Sequence, residues 1–421
     1  MREALLRLLL SDLAQAETVA DELSRRRQWS QAVVLGAAWG VLPRLRQRLS
    51  ALRVDLGGPA RSDLRKLTAA AVARSTLRAR KGVKVLEHLE RRGIPAAAFK
   101  GLAAIASLYH GPQGRLIGDV DILIREEDLE AAISGLAELG FRPDLEGSLA
   151  NWLAFVRRAP GFAGNEALAL SDAEKCEVDL HWRLGAHPSP ELETPRVIAR
   201  AQTVEVLGTP VRVVSPGDGL LLSAHHAIRE NLVPEAVIRN LLDIEGWCGL
   251  LAGRGELEAA LERARACGLG APLLALTSVL ARFDSSSAAR PAAALLQEAA
   301  TREDSRAAGR LADLFLFQAR QGPVSKDVVY LFHPRALRQI AASLVMGWQR
   351  HRRLMKAMET KLRGKPLPLS ERLGGLVRSL LHLTPARLRM LRTLVRVKEG
   401  YQSGGAPQAG VSPQSPRQPS A

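Results

Sequence analysis

The sequence predicts an α+β chain, mostly helical, in which a small α/β unit lies between helical N- and C-terminal regions. Three observations carry that prediction. Apolar residues recur at helical spacing over most of the 421 residues, and the strand-like runs gather between positions 93 and 215. Aromatic residues make up only 4%, while Ala, Leu and Arg abound, a composition that favours helices with aliphatic faces over a β-sandwich. The length exceeds what one core usually holds. The expected divisions are a helical region 1–92, an α/β core 93–215, a helical domain 216–325, a basic helical region 326–402 and a disordered tail 403–421.

Taken in order, residues 3–26, 30–50 and 62–92 place apolar side chains at helical spacing, as in Val33, Val34, Ala37, Ala38, Val41, Leu42 and Leu45. Gly93-Ile94-Pro95 breaks that rhythm. Ala96 to Phe99 then reads as a short buried strand ending at Lys100-Gly101, followed by a helix from Leu102 to His110 and a loop at Gly111 to Gly114. Asp119 to Ile124 is a second strand. Glu126, Glu127 and Asp128 put negative charge on the first turn of a helix that ends before Gly140, where it favours the helix dipole. The stretch from Leu145 to Asp172 has no clear period and receives no assignment. Glu177 to Trp182 is a third strand. Val204 to Leu207 and Val211 to Val214 flank Gly208-Thr209-Pro210 as a hairpin, and helices return from Pro216 to about Gln321. The last residues, rich in Gly, Pro, Ser and Gln, lack the apolar side chains needed for a packed core.

Charge is unevenly distributed. Residues 335–421 carry 17 Lys/Arg against Glu359, Glu371 and Glu399, a net of +14 out of the chain's formal +16. A polyanion is therefore a matter for the C-terminal quarter: nucleic acid or an anionic membrane surface met through residues 335–398, where Arg387 to Lys398 has the pattern of an amphipathic surface helix. Three cysteines, Cys176, Cys248 and Cys267, show neither zinc spacing nor an even count. They suggest a reducing, cytoplasmic setting, with a peripheral place at the inner membrane surface if the basic region binds lipid. No run approaches the roughly 20 apolar residues that span a bilayer.

Gly118-Asp119-Val120-Asp121-Ile122-Leu123-Ile124 is the run that speaks of chemistry. On a strand Asp119 and Asp121 share one face while Val120, Ile122 and Ile124 take the other. Carboxylates so close repel, and a divalent cation relieves them; Mg²⁺, with Mn²⁺ as the alternative, binds such oxygens and keeps positions open for substrate phosphates. A third acid, Asp179 in Val178-Asp179-Leu180-His181-Trp182, can complete the set, with His181 on its face. Asp243 is expected to bond a buried partner, and His225 and His226 to pack.

This order of motifs resembles the DNA polymerase beta-like nucleotidyltransferase superfamily, and more closely its bacterial branch, the uncharacterised nucleotidyltransferase family. The resemblance spans Trp29 to Leu251. It rests on Lys100-Gly101, Tyr109, Arg115, Asp119-x-Asp121, Asp179-Leu180-His181-Trp182, the hairpin before His225-His226, and Leu242-Asp243-Ile244. The chain departs from the wider superfamily in having Lys100-Gly101 where Gly-Ser or Gly-Gly is usual, so a basic side chain stands in place of a phosphate-contacting hydroxyl. The resemblance implies a small mixed-sheet nucleotidyltransferase core. It implies Mg²⁺-dependent transfer of a nucleoside monophosphate from an NTP to an unidentified acceptor. Asp119, Asp121 and Asp179 would bind metal and act in catalysis, and Lys100, Gly101 and Arg115 would bind the nucleotide. Two other readings stand beside it: an inactive nucleotide- or nucleic-acid-binding protein, and a membrane-surface or scaffold protein acting through residues 335–398.

Overall fold

Ser11 and Asp12 divide the first expected helix in two. The Asp12 carboxylate accepts the backbone N–H of Gln15 at 2.8 Å and so caps a new helix; the pieces are α1 (Arg2–Leu10) and α2 (Leu13–Arg25). In the same way Gly40 separates α3 (Trp29–Ala38) from α4 (Leu42–Ala51), whose first turn holds Pro43. The computed structural model describes residues 1–143, 145, 148–158, 166–184, 189–322, 389–395 and 397.

Helix α5 (Gly58–Arg91) is the long strut behind the sheet. Its buried stripe, Leu64, Thr68, Ser75, Ala79, Gly82, Leu86 and Leu89, steps by three, four or seven residues, the spacing of one helical face. Gly82 permits its approach to the sheet: a Cβ there would come within 2.8 Å of a Val120 methyl. The same helix grips the chain that leads into the Asp119 strand. Ser75 Oγ accepts the Ile117 N–H at 2.9 Å, and Arg78 donates to the Ile117 carbonyl at 3.1 Å.

The remaining elements alternate. They are β1 (Ala96–Ala98), α6 (Gly101–Ser107), β2 (Val120–Ile124), a 3-10 turn at Glu126–Asp128, α7 (Leu129–Glu138), β3 (Arg142–Pro143), α8 (Leu149–Arg158), β4 (Ala167–Ser171) and β5 (Glu177–His181). Then come α9 (Thr194–Ala199), β6 (Gln202–Val206), β7 (Thr209–Val213) and α10 (Pro216–Arg229). Helices α11 (Pro234–Gly253), α12 (Leu257–Ala266), α13 (Gly270–Phe283), α14 (Arg290–Glu298) and α15 (Arg302–Gln321) complete the order.

The seven strands form one mixed sheet in the order β3-β4-β5-β2-β1-β7-β6. At its centre β2 runs antiparallel to β1 and parallel to β5, with Asp121 opposite Asp179 and Leu123 opposite His181. Helices α5, α6 and α9 pack against β2, every residue of which is buried. The α+β class and the mixed sheet agree with the expectation. The unassigned stretch 145–172 holds part of the difference: α8 and β4 lie in it, and β4 shows the alternation of a half-covered strand, with Leu168 and Leu170 buried.

One connected cluster of buried apolar side chains runs from Leu5 through β2 to Phe315 and Leu394. Most of the basic region 326–402 and the whole tail 403–421 lie outside the described residues. Residues 389–395 are helical, with Arg389 and Arg392 exposed and Leu391, Leu394 and Val395 buried. Arg310 on α15 donates to Thr393 Oγ1 at 3.3 Å. This apolar face is thus covered by the protein itself, which differs from the free amphipathic surface expected of Arg387 to Lys398. Among the described residues no helix is long and apolar enough to cross a membrane.

Candidate functional site

Parallel pairing of β2 with β5 puts Asp121 and Asp179 side by side, and two residues on, at the same face, comes His181. Ligand atoms of Asp121, Asp179 and His181 all lie within 4.8 Å of one another. Asp121 is almost wholly buried. Its Oδ1 accepts from Lys100 Nζ and lies 3.2 Å from His181 Nε2. The His181 ring stands edge-on to Phe99, with centroids 4.9 Å apart, and Lys100 Nζ lies 5.1 Å from the centre of the Phe99 ring. Lys100 itself has φ +49°, a left-handed conformation uncommon for a residue with a Cβ. The turn from β1 into α6 is what aims its ammonium at Asp121.

The electrostatics are uneven. Burial alone would raise the Asp121 pKa, but the Lys100 charge and then the His181 hydrogen bond outweigh it and hold the carboxyl well below the usual carboxylate range. Burial lowers His181 to about 4, so its imidazole is neutral at pH 7. Asp179 behaves in the opposite way: burial, then the charges of Asp121 and Asp119, push it up to about 7. Asp119, half-buried just ahead of β2, is raised first by Asp121 and then by burial. Of the three carboxylates, Asp121 bonds the Lys100 ammonium, and Asp119 and Asp179 feel only its charge.

Two carboxylate oxygens and a neutral imidazole nitrogen suit a divalent cation. The oxygens match Mg²⁺, and the nitrogen moves the preference toward Mn²⁺. Asp119 stands outside the close trio, near enough to feel its charge.

Arg115, expected from the sequence to reach a triphosphate, is committed elsewhere. Its Nε donates to both carboxylate oxygens of Asp243 at 2.9 Å, its Nη2 to Oδ2 at 2.8 Å and its Nη1 to the Leu116 carbonyl at 3.1 Å. With 9% and 4% of the two side chains exposed, this is a buried bidentate pair that ties the loop before β2 to α11. It is the buried partner expected for Asp243, and the correction to Arg115 follows from the same contact. Gly101 has a packing reason of its own: a Cβ there would lie 3.0 Å from Arg115 Nη1.

Two basic groups near the acids escaped the sequence reading. His226 on α10, expected simply to pack, has its pKa pushed well down by burial and then by the nearby Lys100 charge. Together with Lys100, His181, His225 and Arg229 it lines a small cleft over the site. Arg239 on α11 lies close enough to Asp119 and Asp121 to feel their charge. Its position four residues before Asp243, on the same helix face, was a usable signal hidden by the abundance of arginine.

The description "uncharacterised nucleotidyltransferase" belongs to a family model that matches residues 25–283, more than half of the chain and well past Leu251. No curated protein matches. Among solved structures, the solution structure of the antibiotic-resistance factor ANT(2'')-Ia is similar at 16% identity, covering 45% of this chain and 98% of that one, with a TM-score of 0.30. A likeness that slight carries no argument.

Proposed function

The chain belongs to the uncharacterised nucleotidyltransferase family, and on that premise we propose that it transfers a nucleoside monophosphate from an NTP to an acceptor hydroxyl at the face of β2 and β5. The observation that supports this reading is the in-register pairing of Asp121 with Asp179, with His181 and Asp119 close by. Asp121, Asp179 and His181 would hold a divalent cation, Mg²⁺ or Mn²⁺, with Asp119 at the edge of the group. Such a cation, when bound, supplies neutralisation of phosphate charge.

The chain's own groups do the rest. Lys100 adds the positive charge nearest the trio and would steady the triphosphate beside Gly101. Asp179, in register beside Asp121, would take the acceptor's proton as the acceptor oxygen bonds to the α-phosphorus and the bond to pyrophosphate breaks. The products are the nucleotidylated acceptor and pyrophosphate.

The test is transfer of label from α-³²P-labelled NTPs into molecules of a cell extract, with Mg²⁺ or Mn²⁺ present. Wild type should label a discrete acceptor, and Asp121→Asn should lower transfer at least about a thousandfold, the scale of losing a group that acts in the transition state, while circular dichroism stays unchanged. Equal labelling by a folded Asp121→Asn protein would reject the reading.

A further inference from the structure

Arg239 also lines a second cavity, of about 720 Å³, between the N-terminal helices, the end of α6 and α11. That volume falls in the range of small-molecule sites. Its wall is partly apolar, with Val41, Leu108 and Leu250, and of the three arginines that line it Arg115 is held by Asp243, which leaves Arg44 and Arg239. Nε of each is buried with no hydrogen-bond partner among the described residues. For Arg44 one other nitrogen is engaged, Nη1 with Gln47 Oε1 at 3.1 Å.

Local acids offset these cations without hydrogen-bonding them. Asp119, Asp243 and Asp121 oppose the lowering of the Arg239 pKa, but burial and then the Arg115 charge outweigh them, and Asp243 is gripped by Arg115. Glu245 also lines the cavity. It accepts from Ser287 Oγ at 3.2 Å, and burial raises its pKa ahead of the opposing effect of Arg44. A buried guanidinium N–H without a partner is costly, and phosphate oxygens match such donors in a bidentate way. Arg239 also connects the cavity to the acids: its Nη1 would lie 3.6 Å from a Cβ placed on Gly118, the residue before Asp119.

We propose that this cavity is a phosphate-binding site in which Arg239 and Arg44 hold the phosphate of a small molecule, its uncharged part lying on the apolar wall and a donor group meeting Glu245. Binding here is distinct from the transfer reaction and is read without it. The phosphate can come from the tail of the nucleotide donor or from a phosphorylated acceptor.

Inorganic pyrophosphate, titrated calorimetrically into the full chain in EDTA, is the probe. Wild type should bind it saturably at one site. Arg239→Gln should weaken binding at least about tenfold and Arg44→Gln several-fold, whereas Arg61→Gln, at a remote exposed arginine, should bind as wild type does. If Arg239→Gln does not fold, Arg44→Gln at the cavity rim and Arg239→Lys give the same reading. Repeating the titration with the protein saturated by an α,β-methylene ATP analogue and Mg²⁺ separates the two sources: loss of pyrophosphate binding assigns the site to the donor's tail, and retention assigns it to the acceptor. No saturable binding by wild type, or wild-type affinity in both Arg44→Gln and Arg239→Gln, overturns the proposal. Absent label transfer with pyrophosphate binding intact would reject the transferase reading and leave this site standing.

Discussion

Around α10 and α11 the buried acids are enclosed by matching cations. Asp243 meets Arg115 through two nitrogens, and Asp218, wholly buried, accepts from Arg200 at 2.8 and 3.0 Å, from Arg263 at 3.2 Å and from the Ser215 hydroxyl at 2.6 Å. On the sheet the acids are arranged otherwise. Asp121 takes both the Lys100 and the His181 contacts, while Asp179 has no ion-pair partner among the described residues and Asp119 crowds the same region. Both regions remove charge from water, which is costly unless it is compensated. The helical region compensates internally and holds elements together. The sheet region is left with an excess of negative charge, which marks it as a place for something that arrives from outside.

Replacing Asp243 by Ala should have the largest effect on stability, because it leaves the Arg115 guanidinium buried and unpaired. A loss of about 3–5 kcal/mol in urea unfolding is expected. The double replacement Arg115→Met, Asp243→Leu should recover most of it, since neither charge then remains. A loss below about 1 kcal/mol in Asp243→Ala would dissolve the contrast between the two regions.

Lys100→Met probes the sheet region. It removes the ammonium that compensates Asp121, and the metal-free protein should lose about 2 kcal/mol. Millimolar Mn²⁺ should restore the melting temperature of this variant by more than it raises that of wild type, because a cation supplies what the lysine did. Equal Mn²⁺ shifts in the two proteins would mean that the acids do not gather a cation.

Asp179→Asn should give the smallest and most pH-dependent effect. With a folded-state pKa of about 7 against an unfolded value near 3.8, the native protein holds this proton more tightly than the unfolded chain does. The contribution of Asp179 is therefore fully present below about pH 4 and is lost as pH rises through 7. At pH 8 the Asn variant should be more stable than wild type, a gap that closes toward pH 4. A constant difference across that range would show that neither burial nor the Asp121 and Asp119 charges raise Asp179.

Much of this contrast was readable in one dimension. Strand alternation put Asp119 and Asp121 on one face as an expectation, helical spacing marked the buried stripe of α5, and Pro216 marked where helices return. Other elements left too little trace. β3 has two residues, and β4 is short and follows a stretch without period. Arg115 shows why side-chain roles resist sequence reading: an arginine before an acidic strand suits a phosphate equally well on paper, and the partner that claims it lies 128 residues away.

By itself the sequence determined what local chemistry controls: where most helices and strands lie and which residues of β2 turn into the core. Those properties depend on neighbours within a few positions, so a linear reading reaches them. Tertiary structure alone decided which charges meet. The parallel docking of β5 beside β2 brought Asp179 to Asp121, the turn into α6 delivered Lys100, and the packing of α11 bound Arg115 to Asp243 while leaving Arg239 Nε without a hydrogen-bond partner among the described residues. Such pairings depend on distances between chain segments far apart in sequence, which only the folded packing of helices against the sheet sets.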